Sequence, residues 1–407
     1  MLETLDGALA PRLTPLVGAF ERILAELLPG HQAVFRSFRA FNYELSSIYP
    51  DPFRATLGDD VDQGNWPALF IKFPTGFLDS PRNHILVAHE IGHAVAAVRR
   101  AETQRYQQEA AKAKRSGLPS SEVPPALLPL PSIPQPRLLD VVIARWNESG
   151  LSPLDTATLD LATLRSRPTE SLLFADIIAR VATTAQAMCA SWMEELFADA
   201  VGVCLFGPAF IFSFIEVLMP VSGLQNADED HPPGAMRLLW MEQLLRGPQL
   251  TGMIDAMPDG LRTRLDAWIT MSAEEFVNLK TLGASAKDFA GKLQSLVTDI
   301  VEALADSIRK AALAVCAKLI YSPSRFKDDL SRYSDDLVLF GIPPVVAPPG
   351  QSVVGLATIF NVAQMVALER LEEFRPGEAR PEKERMLDDL VLKAVELAEV
   401  QRKWQEA

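Results

Sequence analysis

The chain has 407 residues, 48% hydrophobic and 22% charged, an ordinary globular composition with ample apolar material for a core and room for two or three domains. A net charge of −13 argues against nucleic acid or an anionic membrane surface as a partner. Cys189, Cys204 and Cys316 are odd in number and lie in apolar surroundings, so they read as buried free thiols of a reducing compartment and exclude a disulfide framework.

The first residues lack the basic and continuous apolar regions of a signal peptide. Residues 1–49 are helical in pattern: Leu16, Phe20, Ile23, Leu24 and Leu27 keep a helical period, and Pro29-Gly30 stops it. Residues 50–67 read as loop; the aspartates at 59, 60 and 62 lack the later glutamate that a calcium loop requires. Leu69 to Phe73 is the best strand candidate, either an edge onto which an extended peptide adds or a plain core strand.

Ser80-Pro81 then opens a helix expected to run to about Arg115, ahead of Gly117. It contains His89-Glu90-Ile91-Gly92-His93, an H-E-x-x-H box holding two of the chain's five histidines. Residues four apart share one helical face, so His89 and His93 can aim at one metal ion. Glu90 lies beside them, placed to take a proton from a metal-bound water. Ile85, Leu86, Val87, Ala88, Ile91, Ala94, Val95 and Ala96 make the segment apolar almost all round, so the helix should be buried and its polar side chains should need partners. Gly92 is costly inside a helix, which points to close approach of another backbone there.

From Gly117 to Pro136 come seven prolines, an insertion or linker loop, and 137–167 resume weak helical patterning. Pro168 opens a long helical region leading into Ser191-Trp-Met-Glu-Glu-Leu-Phe-Ala-Asp-Ala-Val-Gly202. Two histidines leave a catalytic zinc site one protein ligand short. Glu195 and Asp199 are again four apart, which suits Glu195 on the metal and Asp199 on the far nitrogen of a ligand histidine. Glu194 competes for the ligand role from a quarter-turn away. The uncharged stretch Ala200 to Ile215, interrupted by Gly207-Pro208, falls short of the ~20 residues of a membrane span and reads as two buried core helices. A cytoplasmic protein without a membrane span is expected. His231, in the acidic turn Asp228-Glu-Asp-His231-Pro-Pro, can hydrogen-bond an oxyanion or stand simply exposed.

Taken together, the box, Glu195-Leu-Phe-Ala-Asp199 and His231-Pro-Pro with Arg237 six positions on resemble the gluzincin metallopeptidases. They match the E-x-x-A-D and H-P-P-x-x-x-R forms of the CAAX-prenyl-protease-like branch. The resemblance covers residues 68–100 and 190–240. It implies zinc held by His89, His93 and Glu195, with Glu90 as general base and acid. It also implies His231 near the scissile carbonyl and Arg237 in a supporting ion pair. The chain departs from that branch in its long gap between His93 and Glu195 and in lacking transmembrane helices.

Beyond Arg237 the pattern is helical: Leu238, Met241 and Leu245, then a bundle-like region from Ala273 to Leu319. Leu337 to Gly350 reads as an apolar, proline-stiffened loop, and the tail from Pro381 as one amphipathic helix with Met386, Leu387, Leu390, Ala394 and Leu397 on a stripe. That helix would dock on its own domain or on a partner protein. The expected fold is mostly α with a small β-sheet, a zincin-like core plus helical bundle additions. Its parts would be an N-terminal helical segment (1–67), a catalytic domain (68–270) carrying the insertion at about 117–136, and a C-terminal helical region (271–407). The expected function is zinc-dependent hydrolysis of a peptide or protein substrate lying along the candidate strand. The rivals are a latent or non-catalytic zincin-like scaffold and a zinc hydrolase of non-peptide substrates.

Overall fold

A computed structural model describes residues 10–38, 44–47, 68–74, 80–115, 168–285, 289–344 and 354–406. The loop expected at 50–67, the proline-rich insertion and the segment 137–167 lie outside the described residues.

Two long helices form the frame. Helix α2 (Val87–Arg115), entered through a 3-10 turn at Pro81–Leu86, carries the H-E-x-x-H box; α3 (Pro168–Phe206) carries Glu195 and Asp199. They pack on each other, and α3 also packs along α9 (Phe289–Cys316). The second half of α3 is buried on every side, including Trp192, Phe197, Val201 and Phe206, which is the pattern of a helix enclosed by others. Beyond Phe206 the chain breaks at Gly207, whose φ of 59° suits a residue without a Cβ, and restarts as α4 (Pro208–Val217). The backbone groups cut loose there find partners on Asn361 in α11 (Leu356–Met365): its Oδ1 accepts from the Ala209 N–H at 3.0 Å and its Nδ2 donates to the Phe206 carbonyl at 2.7 Å. The apolar stretch 200–215 is thus two buried helices, and among the described residues no helix is long and apolar enough to cross a membrane.

After the short α5 (Met219–Ser222), α6 (Gly234–Leu245) buries Leu238, Met241 and Leu245 and packs on α3 and on α8 (Asp259–Ser285). A single turn, α7 (Met253–Ala256), precedes α8, which with α9 forms a helical hairpin over the region patterned as a bundle. Helix α10 (Pro323–Phe340) is capped by the Ser322 hydroxyl, which accepts from the Arg325 N–H, and ends at Gly341, φ 62°. Leu337 to Phe340 are therefore helix, where the sequence pattern suggested loop; the stop is the glycine rather than the prolines behind it. The last helix, α12 (Arg380–Glu406), packs against α1 (Ala10–Leu27) and the 3-10 turn, with Leu387 and Ala394 fully buried. All three cysteines are free and buried, and burial pushes the Cys189 thiol up to about 12.

The expected class needs correction. The architecture is all-α: its described part is 80% helical, and the buried core comes from helices and their connections, with Ile71 the single core residue from outside them. Three short segments, β1 (Gln32–Phe38), β2 (Glu44–Ser47) and β3 (Ala68–Pro74), pair in the order β1-β3-β2, and Ile71 is their one side chain in the described core. Segment β3 runs parallel to β1 (Val34 opposite Phe70) and antiparallel to β2 (Leu45 opposite Ile71). Leu69 to Phe73 therefore offers no free edge for a peptide, because both its hydrogen-bonding sides are taken. The helical reading fails at 32–38 and 44–47, which are strands: pairing partners that lie 36 positions apart in β1 and β3 leave no local periodic mark.

Candidate metal centre

The site forms where α2 crosses α3. A Cβ built on Gly92 would lie 2.5 Å from the Ala198 Cα, so the two backbones touch at this point and only glycine fits. One residue further along each helix stand His93 and Asp199, so the crossing sets the two ligand-bearing faces against each other.

His89 Nε2 and His93 Nε2 face each other at 3.0 Å, and Glu195 reaches both, Oε1 to His93 Nε2 at 3.1 Å and Oε2 to His89 Nε2 at 3.3 Å. The far nitrogens have their own partners. His89 Nδ1 lies 2.9 Å from Asp199 Oδ1, and His93 Nδ1 lies 3.2 Å from Glu194 Oε1. Each imidazole thus has a carboxylate at both nitrogens; were a metal held between the Nε2 atoms, each Nδ1 would keep its proton toward Asp199 or Glu194 and each Nε2 would turn its lone pair inward. Two lone pairs and a carboxylate converging on one point cannot satisfy one another, and a cation or a proton must stand between them. His89, His93 and Glu195 bring their ligand atoms within 4.8 Å of one another, and this largely buried group could bind a metal ion. Burial works against charge on both histidines, but Glu195, together with Asp199 at His89 and Glu90 at His93, raises both above the ordinary imidazole value.

Arg237, from α6, closes the back of the site. Its Nε and Nη2 grip Asp199 Oδ2 and Oδ1 at 2.7 and 2.8 Å, and Nη2 also lies 3.2 Å from Glu195 Oε2. The guanidinium sits over the Phe214 ring, 4.7 Å from its centroid. Burial would drive Asp199 and Glu195 toward neutrality, but Arg237 holds Asp199 below, and Glu195 well below, the usual carboxylate range. Those carboxylates in turn raise Arg237, so the group stays ionised throughout. Glu90 is buried in the same turn as the histidines, 5% exposed, and acts electrostatically on both His93 and Arg237.

His231 stands at the rim, its Nε2 3.9 Å from Glu195 Oε1. Its backbone N–H donates to Asp228 Oδ1 at 2.6 Å, and its Nδ1 lies 3.0 Å from the same oxygen. The Trp192 indole N–H donates to the Asp228 carbonyl at 3.0 Å, tying the turn to α3.

The structure thus brings His89, Glu90, His93, Glu195, Asp199, His231 and Arg237 to one place. Sequence reasoning missed three contributors. Glu194, taken as a competing ligand, is the partner of His93 Nδ1, and Arg100 binds it from outside. Arg100 follows His93 by seven positions on one face of α2, a signal that was there to be used. Asp228, three residues before His231, carries the Asx-type spacing that fixes a turn. No protein-family model matches the chain, and neither a curated protein nor a solved structure shows significant similarity to it.

Proposed function

We propose that the chain is a zinc-dependent metallopeptidase, of the kind its three motifs resemble. The observation that carries this reading is the convergence of the His89 and His93 Nε2 atoms, 3.0 Å apart, and Glu195 beside a buried carboxylate, Glu90, that has no place in a purely structural metal site. When bound, zinc would polarise a carbonyl and acidify a water. The rest falls to the chain. Glu90 accepts a proton from the attacking water and passes it to the leaving amine. Glu195 and the two histidines hold the ion, and Asp199 and Glu194 fix the imidazole tautomers. Only the doubly protonated His231, with Nδ1–H donating to Asp228, has an Nε2–H to give to the oxyanion that forms at the carbonyl. Free, buried thiols favour a reducing, cytoplasmic setting.

Metal analysis of purified wild type beside Glu195→Ala and Glu194→Ala tests the site, and Glu90→Gln tests the chemistry. We expect about one zinc per chain, lost in Glu195→Ala and kept, more weakly, in Glu194→Ala. Glu90→Gln should keep its zinc and lose at least about 100-fold in peptide hydrolysis. A folded wild type that takes up no zinc on reconstitution would overturn the proposal. Zinc uptake with no hydrolysis of any peptide would leave the scaffold or a non-peptide hydrolase standing.

A further inference from the structure

Between the end of α8 and the start of α9 lies a cavity of about 410 Å³. Its walls include Phe276, Leu279 and Leu282 from α8, and Gln294 and Thr298 from α9. Pro233 closes one side. That proline is two residues beyond His231, whose Nε2 reaches toward Glu195, so one wall of the cavity is tied by the chain to the rim of the metal centre.

The lining decides what it takes. Its one cation, Lys280, is already held by Glu302 at 2.6 Å, with Asp299 at 3.8 Å, and offers no free charge to an acidic group. The Thr298 hydroxyl is spent on the Gln294 carbonyl at 2.8 Å. Phe276, Leu279, Leu282 and Pro233 form the apolar part of the lining, and Gly283 lies close against Ser295, where a Cβ would sit 3.0 Å from the Ser295 Cβ. The volume is that of a small-ligand pocket, on the order of 300–1,000 Å³, and exceeds the gap between two packed helices.

We infer that this cavity is the specificity subsite of the metal centre, taking a large apolar side chain of an extended peptide. The inference rests on the peptidase reading. An extended chain advances about 3.3 Å per residue, so the side chain recognised stands at one fixed number of residues from the scissile bond. Burying a leucine or phenylalanine there, in place of a charged residue that must be desolvated, gives discrimination through kcat/KM.

The test uses the full-length, zinc-loaded protein and internally quenched decapeptides in which one position at a time is Leu or Asp. One position should show a Leu:Asp ratio of kcat/KM of at least about 10, a difference of about 1.4 kcal/mol. Leu282→Lys puts a cation at the exposed mouth and should collapse that ratio at that position alone. Val400→Lys, an exposed apolar site on α12, should leave it intact. A ratio unchanged in Leu282→Lys overturns the inference while leaving the peptidase reading in place. If no peptide is cut, polarisation of the same peptides, fluorescein-labelled, on the Glu90→Gln protein separates the two ideas. Selective binding of the Leu set, weakened at least tenfold by adding Leu282→Lys, would keep the cavity as a peptide site. Equal binding of both sets would overturn it.

Discussion

Asp199 is fully buried and serves two masters, the Nδ1 of His89 and the guanidinium of Arg237. Replacing it with asparagine removes the charge but little of the shape, and leaves Arg237 buried against a neutral amide. Breaking such a pair from one side costs about 3–5 kcal/mol, most of it the uncompensated partner. Asp199→Asn should therefore lower unfolding stability by that order and metal affinity by about 10–100-fold. Glu194→Gln makes the sharper comparison. Its partner Arg100 is half exposed, so stability should change by less than about 1 kcal/mol, although the acceptor of His93 loses its charge in the same way. Denaturant titration beside competition with a chelator separates the two effects; equal stability losses in both variants would refute the distinction.

At the scale of elements, the crossing of α2 and α3 decides whether the ligands meet. Alanine at position 92 would be favoured over glycine by about 1 kcal/mol in an isolated helix. Here its Cβ would meet the Ala198 backbone at 2.5 Å, and backbone cannot swing aside. The overpacking cost of about 1–3 kcal/mol should win, so Gly92→Ala is expected to lower the thermal midpoint and weaken metal binding. An unchanged or higher midpoint would show that the helices separate at no cost. Most of this was legible in the sequence, because a helix writes its face locally: His89 with His93, Glu195 with Asp199, and the intolerance at Gly92 all follow from a 3.6-residue period. The segments 32–38 and 44–47 were not legible, since what fixes them is a partner far along the chain. Glu194 was misjudged for a related reason. Its role depends on which way α3 is rotated against α2, and one helix alone does not contain that angle.

For the molecule as a whole, the two ends of the described chain close on each other. Arg22 of α1 pairs with Glu399 of α12, 377 positions away. Arg82, at the entry to the metal helix, holds Asp388 of α12 at 2.7 Å, with both side chains largely buried. The Arg82 carbonyl also accepts from the Ser213 hydroxyl at 3.3 Å, so the entry turn is gripped by α4 and α12 together. Asp388→Ala should cost about 3 kcal/mol and lower metal affinity as well, although no metal-facing residue lies within 90 positions of it. Calorimetry with and without zinc checks this: a destabilised protein with unaltered zinc affinity would mean that the grip on Arg82 does not reach His89.

The six charged side chains packed around the triad and its outer partners are Glu90, Glu194, Glu195 and Asp199 against Arg100 and Arg237, four negative and two positive, a sum of −2. A divalent ion cancels that sum; a monovalent or trivalent one leaves a unit of charge stranded in a buried place, where it is costly. Once occupied, then, the centre projects almost no net field of its own. Whatever long-range attraction brings a substrate in must come from the acidic exterior, which carries most of the chain's −13 and would draw in cationic molecules first. The protein would in that way gather by charge and select by shape, two filters set in different parts of one surface.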